Sequence, residues 1–222
     1  MIVADSIGYS VGGHTVLNRL SMRAEAGQIT ALIGPSGAGK TTALSILGQL
    51  LSPNSGFVEI DGERSTDWSP KERRVFWRDR SAFVYQDSGV IDDRSVVFNV
   101  TLESRRRTRR ADPKDRVQEV LNHVGLSGRG NDKAGVLSGG EKQRLGIARA
   151  LYKEARWVFA DEPTASLDDT NKDMVMNLFM MLADNGTGVI AATHDHTVMA
   201  QAHRIVELKS EPHRPNPGRA SD

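Results

Sequence analysis

The stretch Gly34-Pro35-Ser36-Gly37-Ala38-Gly39-Lys40-Thr41-Thr42 fits the pattern G-x-x-x-x-G-K-[ST] and directly follows the apolar run Ile29–Ile33. Strand, glycine-rich loop and helix in that order form a phosphate grip. The glycines let the backbone wrap an anion, so that successive N–H groups and the start of the next helix converge on it. Lys40 is placed to reach the β- and γ-phosphates of a nucleotide, and Thr41 to offer its hydroxyl to Mg²⁺. A magnesium site also needs a carboxylate, and the apolar run 157–160 ends in Asp161-Glu162. Asp161 can hold a magnesium-bound water, and Glu162, one residue further out, can polarise the attacking water as general base. An acidic strand end alone reads equally well as solvated surface; the phosphate loop favours the chemical reading. A second anion grip is offered by Leu137-Ser138-Gly139-Gly140-Glu141-Lys142-Gln143-Arg144, which opens a helix. A bare serine cap before two glycines would otherwise be an ordinary helix start.

The octapeptide LSGGEKQR, together with the phosphate loop and FADEPTASLD, resembles the nucleotide-binding subunit of ABC transporters, over residues 2–208. The resemblance implies an ATPase using ATP and Mg²⁺. It implies further that Tyr9 stacks on adenine, that Gln86 touches Mg²⁺ and senses a membrane partner, and that His194 contacts the γ-phosphate. Ser166-Leu167-Asp168 would cross to a second copy of the chain, with Asp168 at its nucleotide. Two copies would pack head to tail, so that Ser138, Gly139, Gly140 and Glu141 of one grip the ATP held by the other. His194-Asp195-His196 could also suggest a metal site, but no third ligand stands at a recognisable spacing.

The segments 80–87 and 93–100 resemble a branch serving lipoprotein release, macrolide or haem efflux, and cell-division signalling. Phe98 and Gly89-Val90-Ile91 depart from that branch's usual residues. The function implied is to power a separate membrane permease exporting a hydrophobic or amphiphilic cargo. A soluble ABC ATPase without a permease, of the iron–sulfur assembly type, or a cell-division regulator are the alternatives. The chain would then sit at the cytoplasmic face of the membrane through its permease.

These residues need a scaffold. Short apolar runs at 29–33, 82–85, 157–160, 189–193 and 205–208 alternate with helical patterns, as in a mostly parallel sheet flanked by helices. The expected fold is therefore α/β, a P-loop NTPase core of RecA-like type. Val58, Ile60 and the Asp61-Gly62 turn add a small antiparallel piece. A helical subdomain is expected at about 89–136, within an ATPase domain of residues 1–209. In it, Asp112-Pro113 opens a helix, Val117, Val120, Leu121 and Val124 form its apolar stripe, and Gly125 ends it. Val96 and Val97 are expected to be exposed there, toward a permease. Met174, Met180 and Met181 read as core packing. The arginine run 105–110 reads as a solvated helix end, and 210–222 as a flexible tail.

Composition narrows the classes. The 222 residues carry 29 basic and 28 acidic side chains, a formal net charge of +1, so no global field argues for nucleic acid. There is no cysteine, which removes thiol chemistry and cysteine-based zinc sites. No apolar run approaches the roughly 18 residues of a membrane span.

Overall fold

The computed structural model describes residues 1–102 and 113–209. Asp112, the arginine run 105–110 and the segment 210–222 lie outside the described residues. The chain opens with a long hairpin of β1 (Ile2–Val11) and β2 (His14–Ala24). Gly12 and Gly13 have φ of 58° and 79°, the two left-handed residues a tight hairpin turn demands. β3 (Ile29–Ile33) then enters the core, and α1 (Lys40–Leu47) leads to β4 (Ser55–Ile60) and the short β5 (Glu63–Arg64). Asp61 and Gly62, both at positive φ, turn β4 into β5 as expected. The antiparallel sheet has the order β2-β1-β4-β5, larger than Val58 and Ile60 suggested.

α2 (Pro70–Asp79) follows, started by a reciprocal cap between Ser69 and Glu72, and leads into β6 (Ser81–Val84). α3 (Val96–Thr101), α4 (Pro113–His123) and α5 (Gly139–Lys153) precede β7 (Trp157–Asp161). α6 (Asp169–Asp184), β8 (Gly188–Ala192), α7 (His196–Gln201) and β9 (Arg204–Glu207) are the last elements among the described residues. The core sheet is wholly parallel in the order β6-β7-β8-β3-β9. Three of the expected strands, 82–85, 189–193 and 205–208, begin and end one residue earlier than their apolar runs. Tyr85 is consequently 41% exposed and already belongs to the loop after β6.

Both faces of this sheet are covered, which is why its strands read as unbroken apolar runs. One face carries Val158, Leu145, Ile147, Val175 and Phe179 in a cluster with the α4 stripe. The other packs Phe159, Trp157, Ile46, Leu47 and Phe76 against Ile2 and Ile60 of the antiparallel sheet. Phe159 stacks on Phe83 at 5.2 Å between ring centroids and meets Phe76 edge-on at 6.3 Å. Burying a ring such as Phe159 stabilises the fold by about 1.5–3 kcal/mol.

The helices depart from expectation at two points. Val96 is fully buried and Val97 packs against the core, because Ser95 caps α3 and turns its apolar side inward. Val96 therefore presents nothing to a partner. On α6, Met180 and Met181 pack against the core, but Met174 is 45% exposed and lies outside it. Among the described residues no helix is long and apolar enough to cross a membrane.

Candidate active site

β7, β8 and β3 are neighbours, and their carboxyl ends deliver Asp161, the segment after Ala192 and the Gly34 loop to one edge of the sheet. In open parallel sheets this is where ligands bind. The loop turns back on itself through Ala38 N–H to the Pro35 carbonyl at 3.2 Å. Gly39, at φ 88°, precedes α1 and supplies no side-chain cap; a Cβ there would lie 2.7 Å from the Val16 carbonyl oxygen. The first turn of α1 also lacks an acidic residue, so its backbone N–H groups and positive dipole end are available to an anion. Lys40 Nζ donates to the Gly34 and Pro35 carbonyls at 2.8 and 3.1 Å, which places its ammonium across the loop.

Thr41 Oγ1 donates to Asp161 Oδ1 at 3.1 Å. Burial pushes the Asp161 carboxyl above its ordinary range; the Thr41 hydrogen bond opposes this, Glu162 adds to it, and Lys40 again opposes it. A half-buried carboxylate whose charge is disfavoured, beside a hydroxyl, is a donor set of hard oxygens that a divalent cation would relieve. Among the described residues no group of three or more His, Asp or Glu could cage a metal. Magnesium does not ask for one, since it keeps waters and takes phosphate oxygens as ligands. The residues present fit Mg²⁺.

Glu162 sits at φ 46°, its N–H bonded to the Ala192 carbonyl at 2.8 Å. A glutamate in the left-handed region costs about 1–3 kcal/mol, and such strain gathers where a side chain must be aimed. Its Oε1 lies 2.9 Å from His194 Nδ1, and its Oε2 is buried with no partner. A buried carboxylate oxygen without a partner is an unmet acceptor, which a rearrangement on ligand binding would have to uncover before it could polarise a water.

Tyr9 is half-buried on β1 opposite Leu17, which with Val16 packs against Gly39. Gln86 is exposed at the start of the loop after β6, where Gln143 Nε2 donates to the Tyr85 carbonyl at 3.2 Å. Gln86, Gly139, Lys142, Glu162 and Ser166 line one shallow depression, and the Gly34 loop takes no part in its lining. Ser138 caps α5: its Oγ accepts from Glu141 N–H at 3.3 Å, and Glu141 Oε2 accepts from Ser138 N–H at 2.8 Å. Glu141 is thereby a capping residue, further held by Arg129 at 3.0 Å. Gly139 is exposed, and a Cβ there would meet nothing within 4 Å. Asp168 caps α6 through Asn171 N–H at 2.8 Å.

Sequence reasoning missed the clamp behind His194. Asp195 accepts from Thr164 Oγ1 at 2.9 Å and Thr197 N–H at 2.8 Å, and pairs with Lys172 at 3.2 Å. Burial alone would raise the Asp195 carboxyl, but these donors outweigh it and hold it down at about 2. The residue that tempted a metal reading is a structural link between the segment after β7 and the segment after β8.

The strand order, the loop after β3 and the carboxylates after β7 define a P-loop nucleotide-binding fold. The chain belongs to the ABC transporter family, whose family model matches residues 17–165. It is 33% identical over 207 residues to the lipoprotein-releasing system ATP-binding protein LolD of Aquifex aeolicus, covering 93% of this chain and 92% of that one. It is 38% identical over 206 residues to an uncharacterised ABC transporter ATP-binding protein of Mycobacterium tuberculosis, covering 91% of this chain but only 62% of that relative's length. Its fold is similar to a dimeric ATP-binding cassette solved in a post-hydrolysis state with ADP and inorganic phosphate. The TM-score is 0.84 at 31% identity, over 96% of this chain and 97% of that one.

Proposed function

We propose that this chain is the ATP-hydrolysing subunit of an ABC exporter, working as a head-to-tail pair and driving a separate membrane permease. The observation that carries the reading is the division of labour within one chain. Lys40, Thr41, Asp161, Glu162 and His194 gather at the carboxyl ends of β3, β7 and β8, while Gly139 at the start of α5 is exposed with open space around it, and this reading assigns it to a second nucleotide. Two grips serving different nucleotides fit a two-fold dimer with self-complementary patches.

In this reading the Gly34 to Thr42 loop wraps the phosphates with its backbone N–H groups, and Tyr9 stacks on the adenine. Lys40 exchanges its two carbonyl partners for the β- and γ-phosphates. Thr41, Asp161 and Gln86 would hold Mg²⁺, which when bound neutralises phosphate charge. Glu162 accepts the proton of the attacking water at Oε2, and His194 fixes the carboxylate through Oε1 while facing the γ-phosphate. Ser138, Gly139 and Gly140 of one copy, oriented by Glu141, close over the ATP of the other, with Asp168 communicating between the sites.

Likeness to LolD supports an exporter of a hydrophobic or amphiphilic cargo, a permease partner and a place at the cytoplasmic face of the membrane. Co-expression of the chain with a candidate permease, followed by purification and Mg-ATPase assay, tests this. Recovery of a membrane complex with raised activity is expected. A chain that is fully active alone, and retains no membrane protein, would contradict it.

A further inference from the structure

The side chain of Asn171, on the first turn of α6, ties the cap of its own helix to α5 and, through Arg144, to the end of α4. Its Nδ2 donates to both carboxylate oxygens of Asp168, at 3.0 and 2.9 Å. Its Oδ1 accepts from Arg144, a residue of α5 that is only 8% exposed. Arg144 in turn donates from Nε to the Val124 carbonyl at the end of α4, at 2.9 Å. The Asn171 amide also presses so closely on Gly140 that any Cβ at that position would collide with it. Both ends of the amide are thus committed, one as donor to a carboxylate and the other as acceptor from a guanidinium. Among side chains of this size only asparagine supplies both in that order.

From this geometry we infer that Asn171 is a positioning residue, locking Asp168 and the Ser138 to Gly140 helix start into one rigid unit that meets the partner's nucleotide. The inference rests on the proposed head-to-tail reading, in which these two elements are the ones that reach across. Closing a site with two independently mobile elements requires ordering both at the moment of association; a unit already locked loses less freedom. None of these bonds reaches the chain's own phosphate loop, so Asn171 acts on association and not on the first binding of ATP. The interaction with Asp168 is also the reason that residue's carboxyl is held below its ordinary range, the Asn171 backbone N–H being the largest influence and its side chain the next.

The test uses the full chain carrying Glu162→Gln, in which a slowed hydrolysis step leaves the ATP-bound dimer to accumulate. Two further variants are made in it. Asn171→Ala removes all three side-chain hydrogen bonds. Asn171→Asp keeps the shape and the acceptor toward Arg144 but sets a second carboxylate against Asp168. Mg-ATP affinity is measured by titration at low protein concentration, and the dimer by sedimentation across a range of protein concentrations with saturating Mg-ATP. Both variants should bind Mg-ATP within about twofold of the parent, and both should weaken the dimer by about tenfold or more. Dimerisation equal to the parent's in either variant overturns the inference. So does a loss of nucleotide affinity matching the loss of dimer, which would mark Asn171 as general structural support. A Glu162→Gln parent that stays monomeric with Mg-ATP overturns the head-to-tail reading itself, and this inference with it.

Discussion

His194 Nδ1 stands 2.9 Å from Glu162 Oε1, while Oε2 of the same carboxylate is buried without a partner. One oxygen is tied and the other is an unmet acceptor closed to solvent, so a general base facing a single water needs that oxygen uncovered when nucleotide binds. Glu162→Gln preserves the shape and removes the basicity. Hydrolysis should fall by about 10²–10⁴-fold with ATP binding retained, measured as phosphate release alongside nucleotide titration. Turnover at the native rate would place the base elsewhere.

Lys40→Ala should act one step earlier. The ammonium is the charged group stretched across the phosphate loop, and charge-assisted hydrogen bonds to phosphate are the strong ones. Removing a group worth about 1.5–3 kcal/mol should weaken Mg-ATP binding by roughly ten- to a hundred-fold or more. Equilibrium titration reads this directly; near-native affinity would mean that Lys40 keeps its carbonyl partners when nucleotide binds.

The core sheet was legible because parallel strands buried on both faces become plain apolar runs, as at Ile29–Ile33 and Trp157–Asp161. The hairpin Ile2–Val11 and His14–Ala24 was not. Ser6 and Arg19 sit at positive φ and the pairing shifts register along β1, so neither strand keeps a clean alternation. Gly12-Gly13 between two half-apolar segments was the available signal. In the site, the phosphate loop and Asp161-Glu162 are contiguous and could be read from local spacing. The bonds of Asn171 to Arg144 and of Asp195 to Thr164 could not, because each joins residues about thirty positions apart, brought together only by the fold.

Asp195 gives a pH test of one such link. Its carboxyl lies at about 2 in the folded chain against an ordinary 3.8. A depressed carboxyl contributes stability that is fully present above the unfolded value and is lost as pH falls through the folded one. Asp195→Asn should therefore destabilise the chain by about 2 kcal/mol near neutral pH, and that difference should shrink as the pH falls from about 4 toward 2. Urea unfolding of both chains across that range is the measurement. A difference independent of pH would mean that the carboxylate's charge is not what the clamp uses.

If each ATP is closed over by residues of two different copies, mixing two inactive chains should reveal it. One carries Lys40→Ala, which spoils its own phosphate loop but keeps the α5 start. The other carries Gly139→Glu, which sets a negative charge against the partner's phosphates; the site is open, and an acid in a first turn suits the helix dipole. A mixed dimer then contains one site with both halves intact. Each variant alone should show little Mg-ATPase activity, and mixing should restore a substantial fraction of it. Activity that stays at the sum of the two separate chains, under conditions where mixed dimers form, would contradict closure by two copies.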